Sequence, residues 1–383
     1  MTDPLFQVTE EQLETGLRGY PCGYCTTSYV DAQKGLFYIG RPVVELAHLK
    51  PEEVICLLYH GKEVSAGEKK QFLEELQKRA SLSVQSIEAI ERLPKEGHPM
   101  KLFAMSLLIL SIFEGTGNYR EDCLNVIAKL PHLAATVINY HAGWGKTPRP
   151  NPFLGYMENF THMVQVKANK EELEKVFKLF NILHYDHGGG NLSAFVGKAV
   201  ASGLEDMYGS LASAMCALEG PRHGRANQDC LHFVEEVLKA VGEKASEAEV
   251  EALIRSKLAK GELVFGFGHA VLRVEDPRAT IQYEYIQKHY PDHPLAKIAQ
   301  HLRTAGPKVL KENPKISNPY PNVDAISGSL LTAAGFGYPQ YFTLLFGLAR
   351  CVGISIQIVY ERLEARNGKG TPIVRPKYLY KAK

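Results

Sequence analysis

The sequence has little of what would place it in a specialised class. Its 44 basic and 42 acidic residues leave a net charge of only +2, which argues against a chain built to coat nucleic acid or a membrane surface. Recognition of an anion must then come from local arginine clusters. The apolar run 102–113 is broken by Ser106 and Ser111 and falls short of the ~20 residues that span a bilayer, so no membrane segment is expected. Met1 to Pro4, followed by Glu10, Glu11 and Glu14, has neither the basic nor the apolar stretch of a secretory leader. The C-terminus, 378–383, ends in no recognised address signal. The expected compartment is the cytoplasm.

Cysteine numbers seven, an odd count in 383 residues, which does not describe a disulfide framework. Cys22 and Cys25 form a lone Cys-x-x-Cys. A zinc site needs a second pair at ligand spacing and a redox pair needs a βαβ setting. Neither is present, and two thiols in a turn is the better reading. Repeats and low-complexity segments are absent. Strands do not alternate with helices, which excludes a doubly wound sheet.

Helical periodicity fills the space these absences leave. It is clearest over 339–366, where Phe342, Leu345, Phe346, Ala349, Gly353, Ile356, Tyr360 and Leu363 recur at spacings of three, four or seven. Similar patterns predict helices over about 52–60, 67–80, 99–114, 119–140, 170–184, 206–219, 226–241, 246–259 and 293–311. One stretch, 26–39, reads as strand and turn, and the prolines of 147–152 mark a loop. The chain is therefore all α, and its length suits two domains. Within 206–220, Gly209, Ala212, Ser213, Cys216 and Ala217 share one stripe. Such a stripe admits a close helix, either from this chain or from a symmetry mate.

Four clusters can carry chemistry. In 184–191, His184 and His187 stand three apart before Gly188, Gly189 and Gly190, with Asn191 or Ser193 able to cap a following helix. A metal site, capping histidines and ligand binding by His187 all fit, and the last is preferred. In 220–227, His223 falls in a glycine-flanked turn, well placed to meet a substrate. Arg225 reads as solvated, and Arg222 as either solvated or anion-binding. In 266–278, Gly-Phe-Gly-His lacks the strand context and lysine of a phosphate loop. Arg273 and Arg278 flank a turn and can clamp anions by their planar forks. In 321–328, Asp324 is an N-cap or a general base.

Together these residues resemble the citrate synthase family. The strongest match is Gly266 to Arg278, G-F-G-H-A-V-L-R-x-x-D-P-R. Beside it stand Asn322-Val323-Asp324 with Ser327-Gly328, and Gly220-Pro221-x-His223-Gly224-x-Ala226-Asn227. Weaker support comes from 16–20, from His98-Pro99-Met100, from Arg350 and from Arg375-Pro376-Lys377. The resemblance implies an all-α fold with a large domain, 1–222 plus 331–383, and a smaller mobile one, 223–330. It implies that Asp324 takes a methyl proton from acetyl-CoA, that His223 serves the thioester oxygen and that His269 polarises the oxaloacetate carbonyl. His187, Arg278, Arg350 and, from the other subunit of a homodimer, Arg375 would hold oxaloacetate. Arg273, Val264, Gly266 and Gly268 would meet CoA. No metal or redox cofactor is implied.

The match is incomplete. Gly188 stands where the family usually has glutamate, Arg222 where it has leucine, and Ile326 where a polar or aromatic residue is common. The rival readings are a 2-methylcitrate synthase acting on propionyl-CoA and a non-catalytic CoA-binding helical scaffold. The latter would not need the base.

Overall fold

The computed structural model describes residues 7–382, so the acidic Met1 to Pro4 lies outside the described residues. The chain opens with a small antiparallel hairpin, β1 Ser28–Asp31 and β2 Gly35–Tyr38, with β3 Arg41–Pro42 on its edge. Ser28 faces Tyr38 and Asp31 faces Gly35. The turn forms because the Asp31 carboxylate accepts the N–H groups of Gln33 and Lys34. Gly35 has φ +93°, and a Cβ there would lie 2.6 Å from the Pro277 ring. The hairpin thus leans closely on a segment far along the chain.

Sixteen α-helices follow among the described residues. The first eight are α1 Val43–Leu46, α2 Pro51–His60, α3 Ala66–Arg79, α4 Val84–Ile90, α5 Pro99–Glu114, α6 Tyr119–Ala142, α7 Tyr156–Met163 and α8 Lys170–His184. Next come α9 Leu192–Ala201, α10 Met207–Leu218, α11 Ala226–Val241 and α12 Glu247–Ala259. The last four are α13 Pro277–His289, α14 Pro294–Leu310, α15 Asp324–Ala333 and α16 Phe342–Val359. The strong periodicities all became helices. The expected single helix 339–366 is instead a 3₁₀ turn Pro339–Tyr341, then α16, then a π turn Tyr360–Glu364.

Helix α16 is the axis of the core. The helical stretch Pro339–Glu364 is long and apolar enough to cross a membrane, but every residue of α16 within it is buried inside the protein, packed on α5, α6, α8, α9 and α10. Helices α11, α13, α14 and α15 pack on one another, with α12 against α11 and α14. The small-residue stripe of α10 divides its task. Gly209 and Ala212 are buried in a helix that packs on α5 and α9, whereas Cys216 is exposed.

Two local expectations are corrected, the Cys22–Cys25 turn and the shared face of His184 and His187. Cys22 and Cys25 lie in irregular chain without a turn, and Cys25 Sγ contacts Thr27 Oγ1 at 3.3 Å. The Arg225 side chain keeps about a third of its surface in solvent, as expected, with only its Nε buried and Asp229 3.9 Å away. Arg222 is exposed. Helix α8 ends at His184, so His184 and His187 do not share a helix face and the metal-ligand spacing loses its premise.

Candidate active site

The floor of the site is the end of α8 docked on α16. The last carbonyls of a helix need partners from outside it. Here Gly353 N–H donates to Tyr185 O at 3.1 Å and Arg350 Nε donates to His184 O at 3.1 Å. Only glycine permits this approach, since a Cβ at 353 would lie 2.5 Å from Tyr185 O. The next residue, Asp186, is fully buried yet saturated. It accepts from the Thr27 hydroxyl, Ser28 Oγ at 2.8 Å, Gln357 Nε2 at 2.7 Å and the His187 N–H at 2.9 Å. Burial still pushes its pKa up against these bonds. Asp186 therefore ties β1, α16 and His187 into one rigid corner.

The first turns of α13 and α15 supply the other wall. Asp276 caps α13 by accepting Arg278 N–H at 2.9 Å, and Pro277 occupies the first helical position. The same carboxylate grips Arg278 twice, at 3.1 Å through Nε and 2.7 Å through Nη2. Burial opposes the charge on Asp276, but Arg278 outweighs it and the pKa falls below the usual carboxylate range. Arg350 differs. It is 2% exposed, rests 4.7 Å over the Phe346 ring and makes no ion pair among the described residues. Burial lowers its pKa to about 10, which leaves it cationic at neutral pH.

Each histidine tautomer is set by a partner with only one role to play. Ser193 N–H, which can only donate, meets His223 Nε2 at 3.2 Å and the Ser193 hydroxyl lies 2.9 Å from the same nitrogen; accepting the N–H puts the His223 proton on Nδ1. Val271 and Leu272 N–H both donate to His269 Nδ1 at 3.0 Å, so its proton sits on Nε2. Arg278 Nη2 donates to His187 Nε2 at 3.2 Å, which places that proton on Nδ1. The rings of His187 and His269 meet edge to face at 5.2 Å. Burial, with the arginine charges behind it, pushes His223 and His269 down to about 4 and His187 well below the usual range. All three are neutral N–H donors at physiological pH.

Asp324 is the first residue of α15, and its side chain makes no capping bond, so the N-cap reading falls. Its Oδ1 is buried with no hydrogen-bond partner. Burial raises its pKa to about 7, against the pull of Arg278 and Arg350. A buried carboxyl poised near neutrality within the field of two arginines fits proton abstraction from carbon.

Not every expected residue joins this cluster. Arg278, His187 and His269 are in contact, and the charges of Arg278 and Arg350 act on Asp324 while that of Arg350 acts on His223. Val264, Gly266 and Gly268 precede His269 in the chain, with φ +84° at both glycines. Gly266 leaves no room for a side chain: a Cβ there would lie 2.9 Å from both Ala325 Cα and Cys230 Sγ. Arg273 is exposed, and its Nη1 lies 2.8 Å from Leu272 O and 3.0 Å from Val271 O. Arg375 is exposed on the C-terminal tail, without hydrogen bond or ion pair to the cluster among the described residues. Asp186, Ser193 and the Asp276 carboxylate were not foreseen as parts of the site. Only Asp276 had a sequence signal, the Asp-Pro start of a helix.

A family model for the C-terminal domain of citrate synthase matches residues 16–377. Citrate synthase 4, mitochondrial, of Arabidopsis thaliana is 34% identical over 97% of this chain and 82% of its own length. The mitochondrial citrate synthase of Citrus maxima is 35% identical over 97% and 83%. These relatives are named as mitochondrial, which overturns the cytoplasmic expectation. Among solved structures, the citrate synthase of Thermotoga maritima superposes with a TM-score of 0.82 at 28% identity, covering 97% of this chain and 96% of that one. The Thermoplasma acidophilum citrate synthase, in ternary complex with carboxymethyl coenzyme A and oxaloacetate, gives 0.83 at 26% identity over the same shares. With His187, His269 and Arg278 brought into contact from distant motifs and its kinship running nearly end to end, the chain belongs to the citrate synthase family.

Proposed function

We propose that the chain condenses acetyl-CoA with oxaloacetate and water to give citrate and CoA. The observation that carries this reading is the buried Asp324 carboxyl, unpartnered at Oδ1 and held near neutrality in the field of Arg278 and Arg350. A thioester α-proton is too weakly acidic for a carboxylate acting alone, so a donor must meet the oxygen as charge develops. Asp324 takes the methyl proton as His223 Nδ1–H passes its proton to the thioester oxygen, giving an enol that returns that proton to His223 when it reacts. Its methylene carbon attacks the keto carbon of oxaloacetate as His269 Nε2–H stabilises the carbonyl oxygen. Water then cleaves the citryl thioester and releases CoA.

The dianionic acid is held by His187, Arg278 and Arg350. Arg350 supports this role because its terminal nitrogens make no hydrogen bond to the described residues. Arg375 enters from the second subunit of a homodimer. Its exposure supports this, as do the exposed Leu108, Ile112 and Phe113 of α5 and Ile373 and Leu379 of the tail. Residues 223–330 move as a small domain over 1–222 and 331–383, a division supported by the mutual packing of α11 to α15. Closure excludes water before the enol forms. Arg273 meets CoA phosphate, and Val264, Gly266 and Gly268 lie beside the nucleotide. Activation by N–H donors requires no cofactor beyond the co-substrate.

Release of free CoA thiol with oxaloacetate tests the reading. Turnover with acetyl-CoA is expected. A preference for propionyl-CoA would move the assignment to 2-methylcitrate synthesis, and no turnover with either would overturn it.

A further inference from the structure

Asn322 opens the motif that carries the base, yet the chemistry above gives its side chain no task. Its backbone N–H donates to Gly266 O at 2.9 Å. Its amide nitrogen, Nδ2, donates to Gly268 O at 3.0 Å, and its amide oxygen, Oδ1, accepts the N–H of Asp324 at 3.0 Å. Gly266 and Gly268 both have φ +84°, a conformation that favours glycine. Gly268 O belongs to the peptide that leads into His269. The two ends of one amide therefore hold the backbone of the base and the backbone of the electrophilic histidine.

We propose that Asn322 is a positioning residue for condensation, a clamp that fixes Asp324 relative to His269. The inference rests on the citrate synthase reading and goes beyond it. Neighbouring bonds support the clamp: Gly268 N–H donates to Tyr320 O and Asp276 N–H to Pro321 O, both at 3.0 Å. Residues 320–322 are thus stitched to the histidine loop on one side and to the cap of α13 on the other. The Oδ1 bond to Asp324 N–H alone would be an ordinary local turn. The Nδ2 bond across 54 positions of sequence is what joins the two catalytic segments. The ends of the amide are not interchangeable, since Nδ2 only donates and Oδ1 only accepts toward these partners.

Asn322→Ala removes both ends. A misplacement of about 1 Å in a reacting group costs roughly 10²-fold in rate, so kcat should fall by about that factor. The KM for oxaloacetate should stay within a few-fold, because His187, Arg278 and Arg350 are untouched. Asn322→Asp keeps an acceptor for Asp324 N–H but sets an anion against Gly268 O and near the base. It should move the acid limb of the pH–rate profile to higher pH. A merely structural asparagine would lower the melting temperature and raise both KM values, with kcat per folded molecule and the pH limb unchanged. Near wild-type kcat in Asn322→Ala, or an unmoved limb in Asn322→Asp, overturns the clamp. Should Asn322→Ala fail to fold, Asn322→Ser, which keeps a small acceptor, carries the same kcat test. Wild-type turnover together with its loss in Asp324→Asn is measured alongside. If those controls fail, the functional reading falls and the clamp with it, whereas normal controls with active Asn322 variants overturn the clamp alone.

Discussion

A carboxyl group shut away from water resists ionising, and at the scale of one residue Asp324 bears the consequence. Its pKa rises from 3.8 to about 7 on folding, chiefly by burial. Between those values the folded chain holds a proton that the unfolded chain has released. Stability contributed here is therefore present at low pH and is lost as pH rises through that window. At about 1.4 kcal/mol per pH unit, Asp324→Asn should gain a few kcal/mol of stability at pH 8 and almost none near pH 4. Thermal melts at both pH values check this, and equal shifts would refute it. The same variant should lose about 10²–10⁴-fold in condensation rate. In the wild type, kcat/KM should fall tenfold per pH unit below about 7 and level off above it. The histidines, pushed down to about 4, should add no limb in the neutral range. The identities of these residues were legible in the sequence through their motifs. The tautomers of His223 and His187 were not, because those depend on donors from Ser193 and Arg278, 30 and 91 positions away in the chain.

At the scale of elements, the site hangs on helix ends. α8 stops where Gly353 lets α16 receive its carbonyls, α13 carries Arg278 in its first turn, and α15 starts at Asp324. Gly353→Ala would drive a methyl to 2.5 Å from Tyr185 O. The expected cost is about 1–3 kcal/mol, with weaker oxaloacetate binding as the corner around Asp186 and His187 shifts. Denaturant unfolding and substrate titration should show both effects, and unchanged binding would separate this contact from the site. Amphipathic helices such as α5, α8 and α11 were legible to the residue, because one face meets water and the period is visible. α13 and α15 were not. Asp324–Ala333 is small and apolar, with Ala325 to Leu331 all buried, so no polar face marks its period. Likewise the π turn at Tyr360–Glu364 follows a core helix in which every residue is buried, and nothing in the apolar pattern announces where α-geometry stops.

At the scale of the whole molecule, one residue expected to hold substrate stands apart from the cluster in its own chain. Arg375 sits exposed on the tail, and sequence alone could place it only by motif. If its role lies across a dimer, Asp324→Asn and Arg375→Ala chains, each inactive alone, should regain activity when mixed. Hybrids then carry one intact site, and a random mixture should approach about a quarter of wild-type activity. No recovery in a mixture shown to exchange subunits would remove Arg375 from the site. The hairpin makes a second connection over distance. Arg273 N–H donates to Ala32 O at 2.8 Å, so a bond formed by the turn of the first strands exists only while the histidine loop lies against it. On the closure proposed for residues 223–330, that amide becomes a clock for the opening. Its deuterium uptake should proceed at the pace of the resting motion and slow once oxaloacetate is bound, which makes a single backbone proton a record of how often the site is unsealed.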